Sequence, residues 1–208
     1  MRTRIKICGI TRPEDGAYAA AAGADAIGLV FCAASPRCVS PAQAREIVAA
    51  LPPLVTVVAL FLDPQPHEVE QVLASVPVDL LQFHGAEPPE FCRRFQRRYL
   101  KALPMGGGAD PLALAAQYPD AAGFLLDSHA QGGIGGTGTT FDWSTIPSTL
   151  PRPFLLAGGL HPGNVAEAVR TCRPYGVDVS SGVESAKGIK DSAKVAAFID
   201  EVRRVQFD

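Results

Sequence analysis

Strand-length apolar segments alternate with helix-like segments eight times along this 208-residue chain, and that alternation limits its possible folds most. The apolar segments are nearly continuous, which is typical of parallel strands covered on their outer face. Most helix-like segments begin with proline, a residue favoured in the first helical turn. Eight such units predict a small closed (β/α)8 barrel, the TIM barrel, in which residues 1–208 form a single α/β domain. The predicted strands are 4–8, 25–31, 55–62, 79–84, 99–103, 122–127, 154–157 and 177–180, and the predicted helices are 13–22, 41–51, 66–75, 88–97, 110–117, 162–172 and 192–205, with only a turn at 142–145.

The alternative fold is an open, doubly wound sheet. A glycine-rich run at 132–138 is the segment that would suggest a dinucleotide site in such a sheet. It follows the sixth predicted strand rather than the first, and it does not open a long helix, so the dinucleotide fingerprint fails in its context. The barrel therefore remains the preferred prediction.

Composition excludes several classes of function. A net charge of -2 provides no basic field for nucleic acid. No apolar stretch reaches the roughly 18 residues of a membrane span, and the first residues lack the apolar run of a signal peptide. Five cysteines, an odd number without CxxC spacing, argue against a disulfide framework or a zinc site. We expect a cytoplasmic protein without nucleic-acid, membrane or metal partners.

Side-chain parity places polar residues inside the predicted barrel. Lys6 and Cys8 share one face of the first strand, as Gln82 and His84 do in the fourth and Asp178 with its neighbour Ser180 in the eighth. The opposite, apolar faces should pack outward under the helices. Closure makes the first and eighth strands neighbours, which allows Lys6 and Asp178 to pair, and we predict a partner for each because an unpaired buried charge is costly.

Two glycine-containing loops at the carboxyl ends of the last strands predict a phosphate site. The loops that follow the seventh and eighth strands are the recurring phosphate position in such barrels, and glycine lets backbone N–H groups approach an anion. A phosphorylated ligand is therefore expected. The predicted phosphate-binding residues are Gly158, Gly159, Ser180, Ser181 and Gly182.

Cys8 and Asp127 end the first and sixth strands, so they should face each other across the barrel mouth. That layout suits proton transfer within one substrate, whereas a Cys–His nucleophile requires direct contact. His84 ends the fourth strand, where a place at the site rim and a packing role are both open. Arg37 lies in the second loop, where a guanidinium suits a carboxylate.

Six motifs follow one another along the whole chain: Lys6-Ile7-Cys8-Gly9-Ile10-Thr11, Ser35-Pro36-Arg37 with Val39-Ser40, Gln82 with His84-Gly85, Gly136-Thr137-Gly138 with Phe141-Asp142-Trp143, Ala157-Gly158-Gly159-Leu160 and Asp178-Val179-Ser180-Ser181-Gly182-Val183-Glu184. In this order they resemble the phosphoribosylanthranilate isomerase family of tryptophan biosynthesis. Two positions depart from the family pattern: Phe83 replaces a usual leucine and should face outward, and Cys32 with Ala33 replaces an aromatic residue beside the second loop.

The resemblance implies an Amadori rearrangement of N-(5-phosphoribosyl)anthranilate, without cofactor or metal. It implies that Asp127 is the general acid and Cys8 the general base, that Arg37 holds the anthranilate carboxylate, and that Asp178 contacts the substrate near its amino group. Cys8 must then be partly thiolate, and Lys6 is a candidate for lowering its pKa. The segment 128–140 is a candidate lid.

Other functions and assemblies stay open at this point. The histidine-pathway aminoaldose isomerase performs the same type of reaction. Its family has a pair of aspartates at the ends of the first and fifth strands, and Cys8 does not match that pattern. A non-catalytic phosphometabolite-binding barrel would explain the phosphate loops alone. Relatives include monomers and homodimers, so either assembly is expected.

Overall fold

Eight parallel strands close into a barrel in the order β1 to β8, with β1 paired to β8. The structure is a computed structural model that describes residues 2–108, 110–128 and 140–205. The predicted (β/α)8 barrel is confirmed. The strands are β1 (Arg4–Cys8), β2 (Ala26–Val30), β3 (Thr56–Phe61), β4 (Leu80–Phe83), β5 (Tyr99–Pro104), β6 (Gly123–Asp127), β7 (Phe154–Leu156) and β8 (Gly176–Val179), and the helices are α1 (Pro13–Ala22), α2 (Pro41–Ala49), α3 (Pro66–Ser75), α4 (Pro89–Arg93), α5 (Pro111–Ala116), α6 (Val165–Cys172) and α7 (Ser192–Arg204).

The helix starts follow directly from local sequence. At α2, the Ser40 hydroxyl accepts from the Gln43 amide at 3.2 Å, and the Gln43 side chain accepts from the Ser40 amide at 3.0 Å. Pro41 occupies the first turn, where no intrahelical N–H bond is lost. A capping box of this kind stabilises a helix by about 1 kcal/mol.

The two faces of each strand separate as parity predicts. Ile5 and Ile7 are fully buried in the large core between strands and helices. Phe83 also points outward, since its ring packs against Phe91 of α4 with centroids 5.8 Å apart. The prediction that Phe83 faces away from the barrel interior is confirmed. Inside the barrel, a separate small apolar cluster contains Ala102, Leu125 and Ala157.

Several element boundaries differ from the sequence-based expectation. Helix α4 ends at Arg93 rather than residue 97, because the chain turns at Gln96 with φ of 52°. Helix α6 begins at Val165 rather than residue 162, after a turn in which the Asn164 side chain accepts from the His161 amide. Strand β8 ends one residue before Ser180.

A small antiparallel hairpin stands between β8 and α7 and was not predicted. It consists of β9 (Glu184–Ala186) and β10 (Ile189–Lys190), joined through Gly188 with φ of +79°. Its strands are too short to show a periodic pattern in the sequence. The hairpin carries Glu184 and Lys190 to the barrel mouth, where both side chains are buried.

Candidate active site

A cavity opens at the carboxyl ends of the strands, the face on which barrel enzymes carry their chemistry. It brings together five of the nine predicted site residues, contributed by four different segments of the chain. Among the described residues, no helix is long and apolar enough to span a bilayer. The cavity is lined by Cys8, Val30, Cys32, Ser35, Arg37, Leu60, Leu62, Gln82, His84, Asp127, Asp178 and Ser180.

Lys6 lies beneath the cavity and forms a buried ion pair with Asp178. The ammonium nitrogen donates to Oδ1 of Asp178 at 2.7 Å, and the two residues are also register partners on β1 and β8. Lys6 is 2% exposed. The expectation that these two residues pair across the closure of the barrel is confirmed.

Cys8 stands above this pair, buried at the end of β1. Burial raises the pKa of the Cys8 thiol, and the Asp178 carboxylate acts in the same direction. The Lys6 and Lys190 cations lower that pKa, but burial outweighs them. The expected influence of Lys6 is therefore present, and it limits the rise in the pKa without reversing it.

Asp127 ends β6 on another part of the cavity wall. Its Oδ1 accepts from the Ser128 amide at 2.7 Å, and its Oδ2 lies 3.3 Å from Nε2 of His84. Nδ1 of His84 lies 3.2 Å from Nε2 of Gln82, so the amide can donate to that ring nitrogen. Gln82 is fully buried. Nε2 of His84 is the ring nitrogen that faces Asp127.

Arg37 reaches the cavity from the loop after β2 and is held there by Glu184. Its Nε and Nη2 atoms donate to the two carboxylate oxygens at 2.7 and 2.8 Å. Gly9, with φ of +73°, makes room for the side chain, since a Cβ there would lie 2.5 Å from Cδ of Arg37. Glu184 raises the pKa of Arg37, so the guanidinium is charged. Within the described residues, its Nη1 donates no hydrogen bond.

The two predicted phosphate loops pack against each other. A Cβ at Gly182 would lie 1.9 Å from the carbonyl oxygen of Leu160, so only glycine permits this approach. Gly158 and Gly159 both adopt positive φ, at +79° and +64°. Among the described residues, no hydrogen bond uses the amides of Gly159, Ser181 or Gly182. These N–H groups remain available to an anion.

Gly158 is required not only by its positive φ but also by its close approach to Ser128. A Cβ there would lie 2.6 Å from the Ser128 amide nitrogen, the same group that donates to Asp127. The glycine therefore allows the seventh loop to approach the end of β6. Of the five predicted phosphate-binding residues, only Ser180 lines the cavity itself.

Sequence analysis left three residues of the site without a role. Glu184 follows the predicted Ser-Gly-Val segment directly, and its place in that motif was the available signal. The alternation of side chains in the fourth strand indicated that Gln82 faces the barrel interior. No sequence pattern indicated the place of Lys190, because its position depends on the hairpin. The proposed lid at 128–140, including Gly136 and Gly138, lies almost entirely outside the described residues.

A thiol and a carboxylate at two strand ends line one cavity of a (β/α)8 barrel, an arrangement typical of barrel enzymes that act on small molecules. Residues 5–201 match the family model described as N-(5'phosphoribosyl)anthranilate (PRA) isomerase. The chain belongs to this family.

Relatives and solved structures agree with that assignment. The chain is 60% identical over 204 residues to N-(5'-phosphoribosyl)anthranilate isomerase of Halorhodospira halophila, covering 98% of each chain. It superposes with a TM-score of 0.83 and 35% identity on a phosphoribosylanthranilate isomerase in complex with reduced 1-(o-carboxyphenylamino)-1-deoxyribulose 5-phosphate, covering 98% of this chain and 100% of the other. A structure of mutually generated monomers of the dimeric Thermotoga maritima enzyme gives 0.84 and 38%, with the same coverage.

Proposed function

We propose that this chain catalyses the Amadori rearrangement of N-(5'-phosphoribosyl)anthranilate to 1-(2-carboxyphenylamino)-1-deoxyribulose 5-phosphate in tryptophan biosynthesis. The observation that carries the proposal is the single cavity lined by both Cys8 and Asp127 in a barrel of this family. The aldose-to-ketose conversion moves protons within one molecule, so an acid and a base in one cavity are the groups it requires. The relative with the bound reduced phosphosugar supports this class of substrate.

Asp127 is the proposed general acid. Its carboxyl group gives a proton to the ring oxygen of the ribose, and the C1–O bond breaks as the nitrogen lone pair forms an iminium. The Ser128 amide and the His84 ring hold the carboxyl group from two sides, which orients it toward the cavity. The carboxylate left after this transfer keeps the hydrogen bond from the Ser128 amide, which stabilises its negative charge.

Cys8 is the proposed general base. Its thiolate takes the proton from C2 of the open-chain iminium, which gives an enolamine that tautomerises to the ketone. Lys6 favours the thiolate by charge, while burial disfavours it. Because a poorly solvated thiolate is a stronger base than a solvated one, the raised pKa suits proton abstraction from carbon.

The remaining predicted residues are assigned to binding. Arg37 faces the cavity with Nη1 available for the anthranilate carboxylate. Asp178 lies beside Cys8, where it would contact the anthranilate amino group. The amides of the two glycine loops are proposed to bind the phosphate. Both proton transfers in this scheme use protein side chains, and we propose that the reaction needs neither cofactor nor metal.

We propose that the enzyme works in the cytoplasm, as a monomer or a homodimer. All five cysteines are unpaired, which favours a reducing compartment. The dimeric Thermotoga maritima relative, for which monomers have been generated, supports either assembly.

A fluorescence assay with freshly made substrate tests the function, because the emission of the anthranilate group changes as it is converted. We expect an emission change that depends on enzyme concentration. A matched reaction with the aminoaldose substrate of the histidine pathway should show no conversion. Binding of N-(5'-phosphoribosyl)anthranilate without an emission change would instead indicate a non-catalytic binding protein and contradict the proposal.

A further inference from the structure

Glu184 lies between two cations at the edge of the cavity. On one side it accepts two hydrogen bonds from Arg37, and on the other its Oε1 accepts from Nζ of Lys190 at 2.9 Å. All three side chains are buried, with Lys190 only 6% exposed. Buried charges interact strongly because little water screens them. The arrangement therefore works as a single charged unit of three residues.

The charges of this unit do not cancel. Two cations share one carboxylate, which leaves one positive charge beside the cavity. The Lys6–Asp178 pair, by contrast, is neutral as a whole. Without Lys190, the carboxylate of Glu184 would neutralise Arg37 completely. An arginine neutralised in this way attracts a second carboxylate only weakly.

Lys190 is placed by several contacts that do not involve the ligand. It is the register partner of Glu184 in the hairpin, and its ammonium group also donates to the carbonyl oxygen of Ser180 at 3.0 Å. Its backbone amide donates to Asp15 of α1 at 3.0 Å. Thr11, just before α1, donates to the carbonyl oxygen of Gly188 at the hairpin turn. The hairpin therefore holds the lysine rigidly beneath Glu184.

We propose that Lys190 is a positioning residue for carboxylate recognition, and that it determines specificity by neutralising Glu184 so that Arg37 keeps its charge for the ligand. Glu184 then fixes the orientation of the guanidinium without cancelling its attraction. The ligand class is an anion with a carboxylate on its aromatic ring. This inference rests on the proposed function, because it takes the anthranilate carboxylate as the group that Arg37 binds.

The test compares two competitive inhibitors, the reduced product analogue and its counterpart made from aniline, which lacks only the carboxylate. In Lys190→Gln we expect KM and the Ki of the carboxylate analogue to rise about 30-fold, the lower end of the loss that follows removal of one partner of a buried interfacial charge pair. The Ki of the aniline counterpart should change little. Lys190→Arg, which keeps the charge, should retain the preference for the carboxylate.

Lys194→Gln is the matched control. Lys194 donates to the backbone carbonyl of Glu184 at 2.8 Å, so the variant loses the same formal charge in the same region without touching the carboxylate. Its inhibitor preference should equal that of the wild type. An equal loss for both inhibitors in Lys190→Gln, or an unchanged preference, would overturn the role of Lys190.

A double variant separates charge balance from a loss of structure. In Lys190→Gln/Glu184→Gln the side chains at 184 and 190 are both neutral, so Arg37 again supplies a single positive charge. We expect the preference for the carboxylate analogue to recover in part, which a merely structural role of Lys190 does not predict. Failure to recover counts against the proposal. Absence of turnover by the wild type would overturn the proposed function itself. Normal turnover by the wild type, together with Lys190 variants that do not change the inhibitor preference as expected, would overturn only this inference.

Discussion

Lys6 and Asp178 meet at the point where the first strand closes against the eighth, with Nζ 2.7 Å from Oδ1. Burial acts to lower the pKa of Lys6, but Asp178 and Cys8 together raise it, so the lysine is charged. A charged lysine inside a barrel is stable only with such a partner. The pair therefore joins barrel closure to the electrostatics around Cys8.

Removal of Lys6 should destabilise the barrel more than removal of the whole pair. Lys6→Met leaves the Asp178 carboxylate buried and unpaired, which typically costs about 3–5 kcal/mol. Lys6→Met/Asp178→Leu removes both charges and should lose less. Urea unfolding of the wild type, both single variants and the double variant gives the coupling energy. A double variant less stable than Lys6→Met would contradict a stabilising pair.

The proposed acid and base predict losses in turnover rather than in affinity. Cys8→Ser and Asp127→Asn should each lower kcat by about 10²- to 10⁴-fold, the usual contribution of a positioned acid or base. The affinity for the reduced product analogue should stay close to that of the wild type. Cys38→Ser, which alters an exposed thiol outside the cavity, is the control. Near-normal turnover in either site variant would refute its role.

The ionisation of Cys8 gives a prediction on pH. Because burial raises its pKa, the rate of its alkylation by iodoacetamide should reach its midpoint above the value of about 8.5 for a free thiol. Lys6→Met removes a cation that favours the thiolate, so the midpoint should move to still higher pH. Mass spectrometry of the Cys8 peptide across a pH series measures both values. A midpoint below that of a free thiol would contradict burial as the dominant influence.

Gly182 tests the proposed phosphate loops. In Gly182→Ala the added methyl group would meet the Leu160 carbonyl, so the two loops must separate. We expect KM to rise about tenfold, equivalent to about 1.4 kcal/mol, with a smaller effect on kcat. Gly163→Ala is the control in the seventh loop, because its methyl group would meet only the His161 ring, at 3.1 Å. Equal KM values for the two variants would argue against phosphate binding there.

The fold and part of the site could be predicted because they depend on local sequence patterns, such as apolar segments and the alternation of side chains within a strand. Eight apolar segments indicate the barrel, and the alternation of side chains within β1 and β8 indicates that Lys6 and Asp178 face inward. Barrel closure then makes them neighbours. The same reasoning placed His84 at the strand end, and the structure resolves its role in favour of the cavity wall.

The rest depends on contacts between distant segments. Arg37 and Glu184 are 147 positions apart, and only the short hairpin brings Glu184 and Lys190 beside the arginine. The direction of the Cys8 pKa was equally out of reach, because it results from burial opposed by two cations. The net direction depends on how far each charge lies from the thiol, and the sequence pattern does not provide those distances.

The pairing of β1 with β8 also determines when the site can form during synthesis. Lys6 and Asp178 are separated by 172 positions, so the ribosome produces the lysine long before its partner. Until the eighth strand docks, Asp178 cannot compensate the Lys6 ammonium group beside Cys8. Contacts of such sequence separation slow the folding of a domain. The proposed base therefore acquires its native environment only when the barrel closes.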